Sequence, residues 1–355
     1  MKKLIATLLI FTLLIFCVCS FVACKENEES DENITSITIA VPDGGPALGM
    51  AYLMKEFPNE IDGVKVTYKI VDGSTGIRAA VLSGEADMAI MPTNMAAILY
   101  NGGLDIRLVG TNSYGLLYLL SDAVSLENFS LDSLKGQVLH TVGQGGTPEV
   151  VLKKILESAG IEYEERDTAV QNKVALNFHE DGKTIIAGLK QGKIHYALLG
   201  EPAVSTAIQN VGGNLSIVYD LQEGWKSATD TDSSYPQTSL VAKQSLIKAN
   251  VSLVKKIAKL TVEGSIAMEH DAMPCIEELR SREATVPATF GAEGVARLHI
   301  DPHFGSVAKA HVTAYFEILL TFKPQLIGGK LPNDAFYCDY DDMETISSIG
   351  KAFLG

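Results

Sequence analysis

The sequence predicts an α/β fold made of two lobes, and three observations lead to this prediction. Short β-rich runs alternate with helical segments and with turns rich in glycine and proline, which is typical of mostly parallel sheets with helices on their faces. The chain has 355 residues, 46% of them hydrophobic, which is enough for two cores. An extended run at 114–121 and a β-rich run at 237–242 lie where the chain would leave a first lobe and return to it.

Residues 1–23 have the three-part layout of an export signal. Lys2 and Lys3 precede an apolar run from Leu4 to Phe16, and small residues follow before Cys24. The apolar run is shorter than the roughly 20 residues that span a membrane. We therefore expect this segment to direct export and to be removed.

The stretch 21–24, Phe-Val-Ala-Cys, resembles a bacterial lipobox, although Phe21 stands where leucine is usual. The resemblance implies cleavage before Cys24 and lipidation of that cysteine. The alternative is an ordinary signal peptide with a chance cysteine. Residues 24–35 are acidic and almost without apolar side chains, so we expect a tether behind the lipid anchor.

The predicted lobe boundaries follow the two crossings. The first lobe comprises 36–117, the second 118–237, and the chain returns to the first lobe with C-terminal helices over 238–355. The predicted strands are 36–41, 64–70, 86–91, 137–142, 195–199 and 237–242. The predicted helices are 47–56, 77–83, 95–100, 147–159, 184–190, 251–270, 276–282 and 307–322.

The net charge and the cysteines exclude several protein classes. A formal net charge of −14 argues against binding nucleic acid or an anionic lipid surface. Three of the five cysteines lie in the predicted signal region, which leaves Cys275 and Cys338. These two can form at most one bridge, so a disulfide scaffold is excluded; two separate thiols are the alternative.

Three motifs carry a resemblance to a known family. The stretch 76–89 (GIRAAVLSGEADMA) joins a helix, a Gly-Glu turn and a strand. A second copy occupies 187–197 (AGLKQGKIHYA), with Lys193 and His195 in place of the two acids of the first copy, and 200–203 (GEPA) forms a turn after it. Together these motifs resemble the solute-binding proteins of bacterial ABC importers, in the branch that binds sulfonates, taurine, nitrate and thiamine precursors.

The resemblance implies a periplasmic-binding-protein-like (type II) clamshell that holds its ligand between two lobes and closes by hinge motion. The expected function is capture of a small polar organic solute, either a sulfonate-like anion or a heteroaromatic vitamin precursor. The expected partners are the permease and ATPase of an ABC importer, with the protein a monomer, lipid-anchored on the extracytoplasmic face of the cell membrane. Two alternatives are an enzyme of thiamine-pyrimidine synthesis with the same fold and a tethered solute sensor.

The candidate ligand residues follow the strands of both lobes. Ligands of open α/β sheets bind beyond the carboxyl ends of the strands. Glycines, hydroxyls and amides there would let a ligand approach backbone N–H groups and helix N-termini. The candidates are Asp43, Gly44, Gly45, Ser74, Thr75, Asn94, Gln144, Gly146, Thr147 and Glu201, with Tyr114 and Tyr235 as aromatic walls. Asp43 and Glu201 would favour an amine, whereas the helix N-termini would accept an anion, so the ligand charge stays open.

No pattern of catalytic residues is visible in the sequence, and we expect no enzyme activity, cofactor or metal. The loop 143–147 lacks the last glycine of a dinucleotide fingerprint, because Pro148 stands in its place. His299, Asp301 and His303 could supply metal ligands, but they lack the context of a known metal motif. Nucleotide binding and a metal centre are therefore set aside.

Overall fold

The computed structural model describes residues 34–338 except 232, 288 and 289, and all of these belong to one compact unit that begins at Ile34. The predicted export signal and Cys24 lie outside the described residues, and lipidation stays a prediction. Within the described ranges, no helix combines the length and the hydropathy needed to cross a bilayer.

The first sheet has six strands in the order β2-β3-β1-β4-β12-β5. Their bounds are β1 Ser36–Pro42, β2 Glu60–Ile61, β3 Val64–Val71, β4 Met88–Pro92, β5 Ile106–Tyr114 and β12 Pro236–Lys243. Strand β1 pairs in parallel with β3 and β4, and β12 runs antiparallel between β4 and β5. The carboxyl ends of β1, β4 and β5 therefore meet at one edge.

The second sheet also has six strands, in the order β11-β6-β10-β7-β9-β8. Their bounds are β6 Leu117–Ser121, β7 Val138–Val142, β8 Tyr163–Glu165, β9 Val174–His179, β10 Tyr196–Gly200 and β11 Ser216–Asp220. The four strands from β10 to β8 are parallel, and β6 is antiparallel to β10 and β11. The α/β fold class with two lobes is confirmed, with each sheet mixed; the predicted residue boundaries of the lobes stay a prediction.

Helices pack on these sheets, and one of them joins the two. The helices are α1 Gly45–Leu48, α2 Ala51–Glu56, α3 Gly73–Leu82, α4 Thr93–Asn101, α5 Thr147–Ser158, α6 Gly182–Lys190, α7 Ala203–Val211, α8 Leu221–Thr229, α9 Gln244–Ala249, α10 Val251–His270, α11 Met273–Ser281, α12 Ala292–Ala296 and α13 Gly305–Phe322. Tyr315 and Phe316 of α13 belong to a hydrophobic cluster that includes Ala40 of the first sheet and Leu139 of the second. Burial of this shared cluster ties the lobes together.

Two crossings connect the sheets, and they are hydrogen-bonded to each other. The chain leaves the first sheet after Tyr114 and enters the second at Leu117. It returns after α8 into β12. The backbone N–H of Gly115 donates to the carbonyl of Tyr235 across 3.1 Å, so the two crossings lie side by side. The extended run predicted at 114–121 thus consists of Tyr114 at the end of β5, the connection Gly115 and Leu116, and strand β6.

One predicted helix, 47–56, is two short helices in the structure. A β-carbon at Gly49 would lie 2.6 Å from the Asn112 side-chain amide, so the backbone at this point is pressed against β5. A larger residue at this position would have to displace the buried Asn112 side chain, and the first helix ends at Leu48. Helix α10, in contrast, has the predicted bounds Val251–His270, with Asn250 accepting from the N–H of Leu253 as its N-cap.

The free edge of β5 is covered by the C-terminal part of the chain. Phe304 pairs with Gly110 and Ile300 pairs with Ser113 in antiparallel bridges, and Tyr337 pairs with Leu108 in a parallel one. Gly110 is required here because a β-carbon would collide with the Phe304 ring. Among the described residues, Cys275 and Cys338 are buried thiols rather than halves of a disulfide.

Candidate functional site

Two of the predicted ligand loops meet across the lobes. Gly44 and Gly45 follow β1 of the first sheet, and Glu201 and Pro202 follow β10 of the second. A β-carbon at Gly45 would lie 3.3 Å from the Glu201 carbonyl oxygen, and one at Gly44 would lie 3.6 Å from Pro202 Cδ. The glycines therefore permit close contact between the lobes, and Gly44 has a φ of 92°, which other residues rarely adopt.

The other first-lobe candidates are in more varied surroundings. Asp43 Oδ1 accepts from the N–H groups of Gly44 at 2.8 Å and Thr285 at 2.9 Å, so this carboxylate fixes its own loop to a later segment. Ser74 and Thr75 lie exposed in the first turn of α3, one turn earlier than the predicted helix start. These two hydroxyls are accessible to a solute, whereas the Asp43 oxygen already has protein partners.

Asn94 and Thr147 contact the C-terminal segment. Asn94 is 5% exposed and donates from Nδ2 to the Leu326 carbonyl across 3.2 Å. Thr147 is 4% exposed, and its hydroxyl lies 3.5 Å from the Tyr315 hydroxyl of α13. The side chains of Asn94 and Thr147 therefore contact residues from the C-terminal part of the chain.

The loop between β7 and α5 is positioned by an ion-pair network. Gly146 is the N-cap of α5, and exposed Gln144 donates to Glu165 across 3.0 Å. The Glu149 carboxylate accepts from the N–H of Gly145 at 2.5 Å and from Lys153 at 2.6 Å. Burial acts to raise the pKa of Glu149, but these hydrogen bonds lower it by more, so the group is ionised and orients the loop.

Arg297, which the sequence did not single out, binds Glu201 across the lobes. The Glu201 side chain is completely buried, and its Oε1 accepts from Arg297 Nε at 2.5 Å. Glu201 also accepts from the N–H of Ser205 at 3.1 Å. Arg297 follows α12, which packs on α10 of the first lobe. The carboxylate that sequence analysis proposed for a ligand amine is thus neutralised by an arginine of the chain.

Gln222 joins the two crossings. Its side chain is buried, and Oε1 accepts from the N–H of Leu117 at 3.0 Å and from the hydroxyl of Tyr235 at 2.8 Å. Its Nε2 donates to Asp220 at 2.9 Å. A β-carbon at Gly115, whose φ is 63°, would collide with the Gln222 side chain. The Gln222 amide therefore holds the two crossings in place through its hydrogen bonds. No local sequence pattern predicts this role.

The predicted aromatic walls have different surroundings. Tyr235 is completely buried, and its ring packs 5.6 Å from Trp225 and 6.5 Å from Tyr315 between centroids. Tyr114 is 7% exposed, and its hydroxyl lies 2.7 Å from His311 Nδ1. Burial raises the pKa of both tyrosines, so both hydroxyls stay protonated. Tyr235 packs the hinge, and Tyr114 reaches a cavity.

A cavity of about 860 Å³ lies beside the crossings, within the size range of small-molecule sites. The second lobe contributes Gln222, Glu223 and Lys226 at the start of α8, and the return crossing contributes Ser233 and Ser234. The first-lobe wall comes from the end of α10, the start of α11, α12 and the segment 299–303. Tyr114 is the one sequence-predicted ligand residue in this lining.

Four histidines belong to the described cavity lining, and three of them, His299, His303 and His311, have side-chain partners that can be named. His299 Nε2 lies 2.8 Å from the Tyr118 hydroxyl, and burial lowers the pKa of His299, so it is neutral near pH 7. His303 Nε2 lies 2.8 Å from Asp301 Oδ2, and His311 contacts Tyr114. In the part of the chain that the structure describes, no group of three His, Cys, Asp or Glu side chains is arranged to hold a metal ion.

Solved structures share this fold. An ABC transporter protein of Parabacteroides distasonis aligns with 24% identity and a TM-score of 0.71, over 86% of this chain and 100% of its own. The periplasmic aliphatic sulphonate binding protein SsuA of Escherichia coli aligns with 14% identity and a TM-score of 0.60, over 82% and 93%. The alkanesulfonate-binding protein SsuA of Xanthomonas axonopodis pv. citri, solved with MOPS, aligns with 12% identity and a TM-score of 0.58, over 82% and 94%.

Sequence comparison supplies the family. No curated protein matches the sequence. The model of the NMT1-like family matches residues 32–274, which include both helix-turn-strand motifs and all twelve strands described above. The family resemblance and the two-lobed binding-protein fold inferred from sequence are thereby confirmed, and the chain belongs to the NMT1-like family.

Proposed function

We propose that this protein is the extracytoplasmic solute-binding component of an ABC importer, which holds a small polar organic solute between its lobes and delivers it to a permease. The observation that carries the proposal is the 860 Å³ cavity, to which both lobes and a crossing contribute side chains. A solute bound there contacts two bodies joined by a hinge, so its binding energy depends on their relative position. A permease that recognises one hinge position would then sense occupancy.

The proposed role is binding without catalysis, and two further points support it. The solved relatives named above are described as transporter or sulfonate-binding proteins. The glycines at Gly44 and Gly45 permit close contact between the lobes, as hinge closure requires. Anchoring through Cys24 on the extracytoplasmic face, and a monomeric state, are part of the same proposal.

The test is detection of a bound solute. We expect native mass spectrometry of the purified protein to show a co-purified small molecule, or a thermal-shift screen to find one. The screen covers sulfonates, nitrate, pyrimidines, vitamins and amino acids. A ligand at 100 times its Kd adds about 2.7 kcal/mol to folded-state stability, which raises Tm by several degrees.

Variants locate the solute. If it contacts the predicted crevice loops, Ser74→Ala and Thr75→Ala, which alter exposed hydroxyls, will weaken binding without changing the unliganded Tm. Ala296→Trp, at an exposed position of the cavity lining, will weaken binding if the solute occupies the cavity. The proposal is wrong if neither native mass spectrometry nor the screen finds a ligand.

A further inference from the structure

The cavity lining is acidic where it is exposed to solvent, at the mouth of the cavity. Its lining includes four carboxylates: Glu223, Glu269, Asp271 and Asp301. Among the described lining residues, Lys226 is the only lysine or arginine, and it lies 2.8 Å from Glu223. Four histidines also line the cavity, and His303 lies 2.8 Å from Asp301. With the histidines neutral, four carboxylates against one lysine leave the lining negative, and a concave wall concentrates that field on a solute that enters.

The inner wall is neutral and partly apolar. The buried residues Val262, Ile276 and Val295 give an apolar surface, and Tyr114 and Ser234, which carry hydroxyls, belong to the same lining. The Ser234 Oγ atom is buried and has no hydrogen-bond partner among the described residues. Such an atom is costly unless a ligand or water satisfies it. The interior thus suits a molecule with an apolar body and a hydrogen-bonding group.

We propose that this cavity takes a small organic cation, an amine-bearing molecule with an apolar or aromatic body, and that it rejects sulfonates and carboxylates. The inference rests on the proposed solute-binding function and names the ligand class of that site. The ammonium group lies at the acidic mouth, near Glu223 and Glu269, and the apolar body lies against the wall formed by α10, α11 and α12.

The charge of the cavity lining disfavours the binding of an anion. The anion would lose its hydration in the cavity without gaining an arginine or a lysine as partner, because the one lysine among the described lining residues lies against Glu223. It would also enter past carboxylates of its own sign, which disfavours its charged form. Of the two solute classes that the sequence leaves open, a heteroaromatic vitamin precursor fits if it carries an amine, and the sulfonate-like anion does not.

The experiment compares three probes that share one ring and differ in charge: benzylamine, benzyl alcohol and benzenesulfonate. Each is titrated into the purified protein by calorimetry at pH 7 and low ionic strength. We expect benzylamine to bind at least fivefold more tightly than benzyl alcohol and benzenesulfonate to show no binding. Raising the salt concentration will reduce the preference for the amine, because screening weakens charge interactions at the mouth.

Two variants test the site. Glu223→Gln combined with Glu269→Gln removes one acid from each lobe, and we expect benzylamine binding to fall about fivefold while benzyl alcohol binding stays unchanged. The control combines Glu60→Gln with Glu127→Gln, which removes two exposed acids outside the cavity lining and leaves all three affinities unchanged. Ala296→Trp, which reduces the cavity volume, weakens benzylamine and benzyl alcohol alike.

The outcomes separate the inference from the function on which it rests. Binding of benzenesulfonate as tight as that of benzylamine overturns the inference but keeps the solute-binding function, as does a co-purified solute that is an anion. Amine binding that is insensitive to both the double glutamine variant and Ala296→Trp places the amine elsewhere and also overturns it. Absence of any bound solute and of any probe binding refutes the function and the inference together.

Discussion

The Nε atom of Arg297 lies 2.5 Å from Oε1 of Glu201, and the Glu201 side chain is completely buried. Arg297 is also largely buried, and its Nη2 donates to the Ser205 hydroxyl across 3.1 Å. The ion pair therefore connects the end of α12 to the turn after β10 in the other lobe, with little water to screen it.

Arg297→Ala is expected to lower the free energy of unfolding by about 3 kcal/mol. Removing one partner of a buried ion pair leaves the other charge uncompensated. Urea denaturation monitored by tryptophan fluorescence measures the change. The control is Arg166→Ala, because the exposed Arg166 lies 3.8 Å from Glu164 and should contribute less than about 1 kcal/mol. Equal effects of the two substitutions would contradict the role assigned to Arg297.

Gln222→Leu is expected to destabilise the hinge. The N–H of Leu117 and the hydroxyl of Tyr235 would each lose their acceptor inside the protein, and a buried unsatisfied donor costs about 1–3 kcal/mol. Tyr235→Phe removes one of these donors and should be the milder change. In the double variant Tyr235→Phe should cost less than it does alone, which a double-mutant cycle by urea denaturation measures. Strict additivity would show that the two side chains do not interact.

Glycine substitutions separate backbone strain from crowding. Gly115→Ala places a β-carbon in collision with Gln222 at a φ of 63°, whereas Gly136→Ala, at a φ of 80°, meets nothing within 4 Å. Gly136→Ala should cost about 1–2 kcal/mol from the left-handed conformation alone. Gly115→Ala should cost clearly more, measured as the shift in Tm and in urea midpoint. A smaller loss at Gly115 than at Gly136 would show that the hinge adapts freely.

The stability of the second lobe is expected to depend on pH through His140. Its Nδ1 lies 2.9 Å from Nε2 of His179, and burial together with His179 lowers the pKa of His140 to about 4. An unfolded histidine has a pKa near 6.5, so the unfolded state binds more protons between these values. Stability is then full above about pH 6.5, falls as the pH decreases from 6.5 to 4, and loses nothing further from this group below 4.

The size of this loss is roughly 1–2 kcal/mol, after discounting for the partial exposure of the ring. His140→Asn should flatten this part of the curve of unfolding free energy against pH. The control is His270→Asn, because His270 is exposed at the end of α10. A curve unchanged by His140→Asn would show that other groups cause the acid dependence.

The sequence predicted the elements whose signals are local. Helix α10 was predicted with its observed bounds, and in the structure it is capped locally by Asn250, three residues before Leu253. Strand β5 was missed because Gly110 and Asn112 interrupt its pattern, and the reason for Gly110 is a contact with Phe304 far along the chain. Helix α8 was missed because Gly224 lies inside it, where Tyr219 packs closely.

In the candidate site too, the sequence predicted the features with local signals and missed the contacts between residues far apart in the chain. The contact of Gly44 and Gly45 with the turn after β10 follows from strand ends meeting at one edge, which the sequence pattern predicts. The ion-pair partner of Glu201 could not be predicted from the sequence, because Arg297 lies 96 residues away and no periodic pattern relates the two residues. The acidic cavity wall was missed for the same reason, since its carboxylates come from separate segments.

The cover along β5 has a consequence for self-association. An open strand edge offers unpaired N–H and C=O groups to another copy of the protein, and this is a common route to aggregation. Here the edge of β5 is occupied by bridges to Ile300, Phe304 and Tyr337. Its backbone groups at these positions are therefore not open to a strand of another copy. At the opposite edge, β2 is only two residues long. The β5 edge of the first sheet is thereby closed to pairing with a strand of a second copy.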